Sequence, residues 1–181
     1  RSLRVRMTDD NRFMILVKTQ STSGNSLDFK DMSKKEKSFV PLMKGFEYDF
    51  NVIDNLEHDL IVLTNYKAPR YRILKIDTRK PQEPEWTELI PEKKDVLASA
   101  AIAGGKLVLN YLKDASNHLE VYSWAGKFEY EITLPGIGST GGISGKKDDP
   151  EAFYTFTSFN TPGEVYRYDF NSNESTVQFR P

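Results

Sequence analysis

A unit of about 46 residues occurs four times in this chain. Each copy holds four short apolar runs separated by turn residues, and no segment keeps a long 3.6-residue apolar period. These observations predict an all-β chain: a partial β-propeller of four blades, each of four antiparallel strands.

The second strand of each unit is the clearest. Phe13–Gln20, Leu60–Tyr66, Leu107–Leu112 and Phe153–Phe159 begin at 13, 60, 107 and 153, steps of 47, 47 and 46. Third strands follow at Leu27–Asp31, Ile73–Asp77, Leu119–Tyr122 and Val165–Asp169, each step 46. Fourth strands at Phe39–Met43, Trp86–Ile90, Tyr130–Leu134 and Thr176–Phe179 step by 47, 44 and 46. Ahead of each unit lies a first strand: Leu3–Thr8, Tyr48–Ile53, Val96–Ala103 and Gly138–Ser144. This strand lies nearest a propeller's channel, where backbones crowd, and the small residues of the last two copies suit it.

The connections carry turn chemistry. Thr22–Asn25, Ala68–Arg70, Asp114–Asn117 and Thr161–Gly163 join second to third strands, and Thr8–Asn11, Asp54–Asn55, Gly104–Gly105 and Gly145–Pro150 join first to second. The charged run Ser33–Lys37 reads as a solvated loop. Blade boundaries fall near 1–46, 47–92, 93–136 and 137–181 of one partial-propeller domain. The competing architecture, a β-sandwich with a chance repeat, is disfavoured by three parallel progressions.

Composition narrows the function. The 181 residues hold 25 Lys and Arg against 26 Asp and Glu, a net charge of −1. That balance gives no electrostatic case for nucleic acid or an anionic membrane. The longest apolar runs, Phe13–Val17 and Ala98–Ala103, fall far short of the ~20 residues of a bilayer-spanning helix. Cysteine is absent, which removes disulfides, a thiol nucleophile and thiolate metal sites, and His58 and His118 are the two histidines. The chain opens without Met on the alternating Arg1–Arg6, with no leader-like pattern, and reads as a cut through a larger protein.

Several motifs start and fail. Gly136–Gly141 matches G-x-G-x-x-G, but the following Gly142–Pro150 cannot supply the helix whose N-terminus holds a pyrophosphate. Around Gly145 and Lys146 a phosphate loop lacks its first Gly, and Lys147 replaces the magnesium-binding hydroxyl. Gly142–Ser144 begins like a nucleophile elbow, but Lys146 replaces the closing Gly. His58 and His118 read as turn residues, as do Asp9, Asp10, Asp148 and Asp149. Arg1, Arg4 and Arg6 are candidates to line a channel. No catalytic or metal site is complete within the chain.

The last repeat is more specific. Phe153–Gly163 followed by Val165–Asp169 resembles the last propeller blade of the prolyl oligopeptidase family of serine peptidases. Asn65–Ile76, Trp86–Glu92 with Lys94–Leu97, Leu107–Ala115, Gly138–Asp149 and Val177–Pro181 resemble the same family in the same order. The resemblance covers nearly the whole chain and is tightest from Asn65 onward. It implies four blades of a seven-bladed propeller that caps an α/β-hydrolase domain, with the catalytic domain outside this chain. It further implies cleavage of short peptides after proline, with no metal or cofactor. The propeller's implied role is to screen substrates, so the expected partners are peptides and the hydrolase domain of the same parent chain. A loop of a middle blade in this family reaches the proline pocket with Arg and, three residues on, Cys; the matching positions here are Lys18 and Ser21, the candidate substrate-binding residues. A stand-alone binding or scaffolding propeller is the alternative function. Cytoplasm and periplasm both suit a cysteine-free chain, and the isolated chain, with two bare blade faces, is expected to dimerise.

Overall fold

The computed structural model describes residues 2–35 and 38–181; Arg1 and the end of the Ser33–Lys37 run lie outside the described residues. The chain is all-β, with a single 3-10 turn at Glu83–Glu85 and no α-helix among the described residues. Sixteen strands form four antiparallel four-stranded sheets in chain order. The first holds β1 (Ser2–Met7), β2 (Phe13–Thr19), β3 (Asn25–Asp31) and β4 (Val40–Met43). In the second are β5 (Phe50–Leu56), β6 (Asp59–Thr64), β7 (Arg72–Asp77) and β8 (Thr87–Ile90). The third has β9 (Val96–Ala103), β10 (Lys106–Lys113), β11 (Ser116–Tyr122) and β12 (Phe128–Ile132). The fourth has β13 (Ile143–Gly145), β14 (Glu151–Ser158), β15 (Thr161–Asp169) and β16 (Glu174–Phe179). The chain divides into two compact units, Arg1–Glu92 and Lys93–Pro181, each with two sheets.

Strand register locates the structural repeat. Val17, Leu63, Asn110 and Thr155 stand opposite Leu27, Ile73, Leu119 and Val165. The third-strand positions keep the 46-residue step, but their second-strand partners are 46, 47 and 45 apart. Phe13 and Leu60, which open matching apolar runs, are therefore not equivalent. They meet in one core from opposite sheets. A strand buried on both faces is apolar continuously, so the start of its run carries no phase.

Several boundaries differ from the expected ones: β12 runs Phe128–Ile132 where Tyr130–Leu134 was expected, and β11 begins at Ser116, inside the expected turn Asp114–Asn117. β5 continues through Asp54 and Asn55, and the chain reverses at Glu57 and His58, with Glu57 at a φ of 51°. Of the stretch 138–144, only Ile143 and Ser144 join β13, and Ser139 makes an isolated bridge to Thr157. β15 begins at Thr161, which moves its turn back to residues 159 and 160.

Each unit has its own core between facing sheets. In unit 1, Phe13, Ile15, Leu27, Phe29 and Leu42 meet Phe50, Val52, Leu60, Val62, Leu74 and Ile76. In unit 2, Ala103, Val108, Leu119, Val121 and Ile132 meet Ile143, Ala152, Tyr154, Phe156, Tyr166 and Tyr168. The first strands of unit 2 do need small residues: a Cβ on Gly145 would lie 2.9 Å from that of Ala152 and 3.1 Å from that of Ala103.

Candidate substrate-facing rim

Lys18 is the penultimate residue of β2. Alternation sends Phe13 and Ile15 into the core and Met14, Leu16 and Lys18 to the opposite face. There the Lys18 ammonium pairs with the buried Asp28 carboxylate, Nζ to Oδ2 2.5 Å. Ser21 is exposed in the following turn, where its Oγ donates to the Ser23 carbonyl at 3.0 Å. The two candidate residues thus share one hairpin end but no bond: Lys18 is held by the sheet, Ser21 by its own loop. A ligand anion reaching Lys18 competes with Asp28.

That hairpin end is fastened to two other loops. Gly24 takes a φ of 76°, and a Cβ there would lie 1.9 Å from the Phe46 carbonyl oxygen, so only glycine fits. Its N–H donates to Asp49 Oδ1 at 2.9 Å. The buried Asn25 amide spans the gap to the second sheet, donating through Nδ2 to the Phe50 carbonyl (3.0 Å) and accepting the Phe50 N–H at Oδ1 (2.8 Å). From the other side Tyr71 donates its hydroxyl to Asp49 Oδ2 (2.8 Å), and Asn65 Oδ1 accepts the Asp49 N–H (2.8 Å). Burial, and then the Asp49 carboxylate, push the Tyr71 phenol up to about 12.

Unit 2 repeats the device. Asn117 lies 92 residues after Asn25, twice the 46-residue step. It accepts the Thr140 N–H at 2.9 Å, donates its own N–H to the Gly138 carbonyl at 3.2 Å, and donates through Nδ2 to Asn110 Oδ1 at 3.0 Å. Both asparagines stand in turn-like sequence, and their shared phase in the repeat is the signal that sets them apart. Beside Asn117, His118 Nδ1 lies 2.7 Å from Glu131 Oε1, and His118 Nε2 lies 3.4 Å from Ser116 Oγ. These side chains line an open crevice of about 460 Å³ together with Leu134, Gly136 and Ile137.

The remaining candidates have structural duties. His58, Asp59 and Asp77 bring ligand atoms within 4.8 Å of one another, the one such group among the described residues. Both Asp77 oxygens are gripped by the Arg79 guanidinium, at 2.9, 3.2 and 2.8 Å, which holds that carboxyl well below the usual range. Arg79 thus already supplies the cation there. Arg6 donates to the Ile53 carbonyl at 2.7 Å. Asp10 accepts from Thr8 Oγ1 and the Arg12 N–H, and Asp149 from the Glu151 N–H, as turn aspartates do. Residues 136–142 lead into β13, not a helix, and Ser144 is exposed on β13 opposite Phe153.

Four four-stranded antiparallel sheets in chain order, stacked by apolar faces within each unit, define a β-propeller fragment. The family model described as prolyl oligopeptidase, N-terminal beta-propeller domain, matches residues 1–180, and the chain belongs to that family. A prolyl endopeptidase of Elizabethkingia miricola is 32% identical over 175 residues, covering 97% of this chain and 24% of the relative. A dual function macrocyclase-peptidase of Amanita bisporigera is 31% identical, covering 93% of this chain and 24% of the relative. Among solved structures, a prolyl endopeptidase from a study of inter-domain dynamics matches with a TM-score of 0.91 at 32% identity, over 98% of this chain and 26% of that one. Prolyl oligopeptidase B of Galerina marginata, bound to a 35mer hydrolysis and macrocyclization substrate, matches with a TM-score of 0.88 at 25% identity, over 99% of this chain and 26% of that one. The chain spans about a quarter of the length of these relatives.

Proposed function

We propose that this chain is the non-catalytic, substrate-gating propeller region of a prolyl oligopeptidase-like serine endopeptidase that cleaves short peptides after proline. The observation that carries the reading is the family match over residues 1–180, with Lys18 and Ser21 on a hairpin end bolted to its neighbours. A gate needs a fixed rim: the three loops joined through Asp49 and Asn25 cannot drift independently, so an opening they border keeps its size. Chemistry belongs to an α/β-hydrolase domain elsewhere in the same polypeptide, and the four blades belong to a seven-bladed ring. The Galerina relative binds a 35-residue substrate. By analogy, peptides handled here extend well beyond the residues around one scissile bond, and they meet rim surfaces remote from it.

The test is Lys18→Ala in the longer protein. The variant changes kcat/KM for proline peptides; because it leaves the buried Asp28 carboxylate without its cation it also costs about 1–3 kcal/mol, so it is compared with Asp28→Asn, which breaks the same pair and keeps the Lys18 ammonium. Unchanged kinetics across several peptide lengths would reduce Lys18 and Ser21 to an ordinary hairpin end.

The reading also has a consequence for the chain by itself. Leu3 and Val5 on the first sheet and Phe153 and Phe179 on the fourth are exposed, the last two at 44% and 58%. Their repeat counterparts on the second and third sheets, such as Ile61, Val108, Ile90 and Ile132, are buried. Bare blade faces of this kind drive self-association, most simply a dimer. In sedimentation equilibrium the isolated chain gains mass with concentration; one species near 20.8 kDa throughout sinks the claim.

A further inference from the structure

Tyr66, two residues beyond the end of β6, is the hub of an aromatic cluster in unit 1. Its ring centroid lies 5.0 Å from that of Tyr48, nearly perpendicular at 86°, and 5.9 Å from those of Phe50 and Trp86. Tyr48, Phe50 and Tyr66 line a pocket of about 170 Å³ together with Met43, Glu47 and Glu83. Its walls are held without any ligand. The Asn25 N–H donates to the Tyr48 carbonyl at 2.9 Å, the Tyr66 hydroxyl to Glu83 Oε1 at 2.5 Å, and Trp86 Nε1 to the Pro81 carbonyl at 2.8 Å. The Tyr66 hydroxyl, and then Lys67, hold the Glu83 carboxyl below its usual range, so it is ionised at neutral pH.

Ring faces and carboxylates share one preference. An aromatic face carries the negative part of a quadrupole, so both attract a cation, and a cation with an apolar shell also packs on the rings. The chain uses this chemistry twice. Lys67 sets its ammonium 4.9 Å from the Tyr66 centroid and 2.9 Å from Glu83 Oε1. In unit 2 the Lys93 ammonium lies 4.6 and 5.1 Å from the Tyr111 and Tyr122 centroids and 2.7 Å from Glu120 Oε2. There two tyrosines and a glutamate are filled by the chain's own lysine. In unit 1 Lys67 is exposed and does not line the pocket, and among the described residues no cation lies over the ring of Tyr48 or Phe50. Lys44 is the one cationic residue in the lining, against two carboxylates. A volume of about 170 Å³ is well below the ~300 Å³ at which pockets for whole small molecules begin, so it suits a single headgroup.

We propose that this pocket binds an alkylammonium headgroup, whose carbon shell packs on Tyr48, Phe50 and Tyr66 while Glu47 and Glu83 balance its charge. A bare metal ion would need oxygen ligands where these walls are rings, and a neutral apolar group would leave both carboxylates unused. Lys67 competes, because its ammonium holds Glu83 and lies over the Tyr66 ring; an exposed pair of this kind is weak, so a ligand displaces it. A free quaternary amine and the side chain of a basic peptide offer the same headgroup chemistry. The pocket takes such a group whether or not the blades gate a peptidase.

The test titrates choline into the 181-residue chain at constant ionic strength and follows the amide NMR shifts of Tyr48, Phe50 and Tyr66. Saturable shifts with a millimolar Kd are expected, and 3,3-dimethylbutanol, the uncharged isostere, binds about tenfold more weakly. Tyr48→Leu weakens choline binding about fivefold, the size of one cation–π contact. Glu83→Gln lowers the affinity for choline and leaves that for the isostere unchanged. Lys67→Met removes the competing ammonium and tightens binding, a gain that damage to the fold does not produce. Nα-acetyl-lysine amide and its trimethylated form separate the two sources: tighter binding of the first assigns a basic peptide side chain, of the second a quaternary amine. No saturation up to about 50 mM choline overturns the site. So does an isostere that binds as tightly, or a Kd that neither Tyr48→Leu nor Lys67→Met moves.

Discussion

The core of unit 1 is aliphatic and phenylalanine throughout, from Phe13 and Ile15 to Leu74 and Ile76, whereas that of unit 2 sets Tyr154, Tyr166 and Tyr168 beside Ala103 and Ala152. Both cores fill the same kind of space between two sheets. In unit 2 the first strands close up on Gly145 and the two alanines, and the gap widening outward takes large rings. Tyr154 and Tyr166 stack there at 5.2 Å, 7° from parallel. Unit 1 has no such small-residue seam, and its outer gap is filled by Tyr48, Tyr66, Phe50 and Trp86 in edge-on and tilted contacts. A propeller repeat therefore conserves strand order and the asparagine strap, while the taper of each wedge is solved locally.

The largest effect expected from a single substitution lies where the two units differ in backbone. Gly24→Ala forces a methyl onto the Phe46 carbonyl at a positive φ and should cost unit 1 roughly 3–4 kcal/mol. Its repeat counterpart in unit 2 is Ser116, which already carries a side chain. Urea denaturation checks this with one tryptophan per unit, Trp86 and Trp124, each read alone after replacing the other with phenylalanine. A loss seen equally by both probes would mean that the units do not unfold separately.

Next come the straps. Asn25→Ala strands the N–H and carbonyl of the buried Phe50 and should destabilise by about 3 kcal/mol, and Asn117→Ala by about 2 kcal/mol. If the two asparagines are one device used twice, each loss registers first at its own unit's tryptophan. A cost within about 0.5 kcal/mol at either position breaks the equivalence.

High pH separates the units by chemistry. Burial holds the phenols of Tyr111, Tyr122, Tyr154 and Tyr168 above the usual tyrosine range, and Glu164, followed by burial, pushes Tyr166 up to about 12. All five belong to unit 2; in unit 1 Tyr71 is raised to about 12. A phenol whose folded pKa is raised stabilises while protonated. Its contribution is complete below about pH 10, the unfolded value, and is lost as pH rises through 12. The Trp124 probe should therefore report loss of structure at lower pH than the Trp86 probe, and Tyr166→Phe should narrow the difference. The reverse order would contradict the contrast between the cores.

The order of the sheets and their antiparallel pairing were legible because turn residues and apolar runs recur at a nearly constant step. Phase was not: Phe13 and Leu60 both open apolar runs, yet register puts them on opposite faces. The site was half legible. Family resemblance pointed to Lys18 and Ser21, but the ion pair of Lys18 with Asp28 depends on cross-strand register, which no linear spacing reveals. Asn25 and Asn117 looked like any turn asparagines until their common place in the repeat was seen.

At Lys18 alanine should cost about 1–3 kcal/mol, because Asp28 is left buried and unpaired, so a kinetic consequence in the longer protein is attributable to the rim where Asp28→Asn, which breaks the same pair, does not reproduce it. On the gating proposal these blades screen peptides and leave the chemistry to another domain. Incubating the purified 20.8 kDa chain with a chromogenic proline amide tests it most directly. No release of chromophore above buffer is expected; turnover that tracks the 20.8 kDa species and survives Ser144→Ala would place the chemistry in this chain and overturn the proposal.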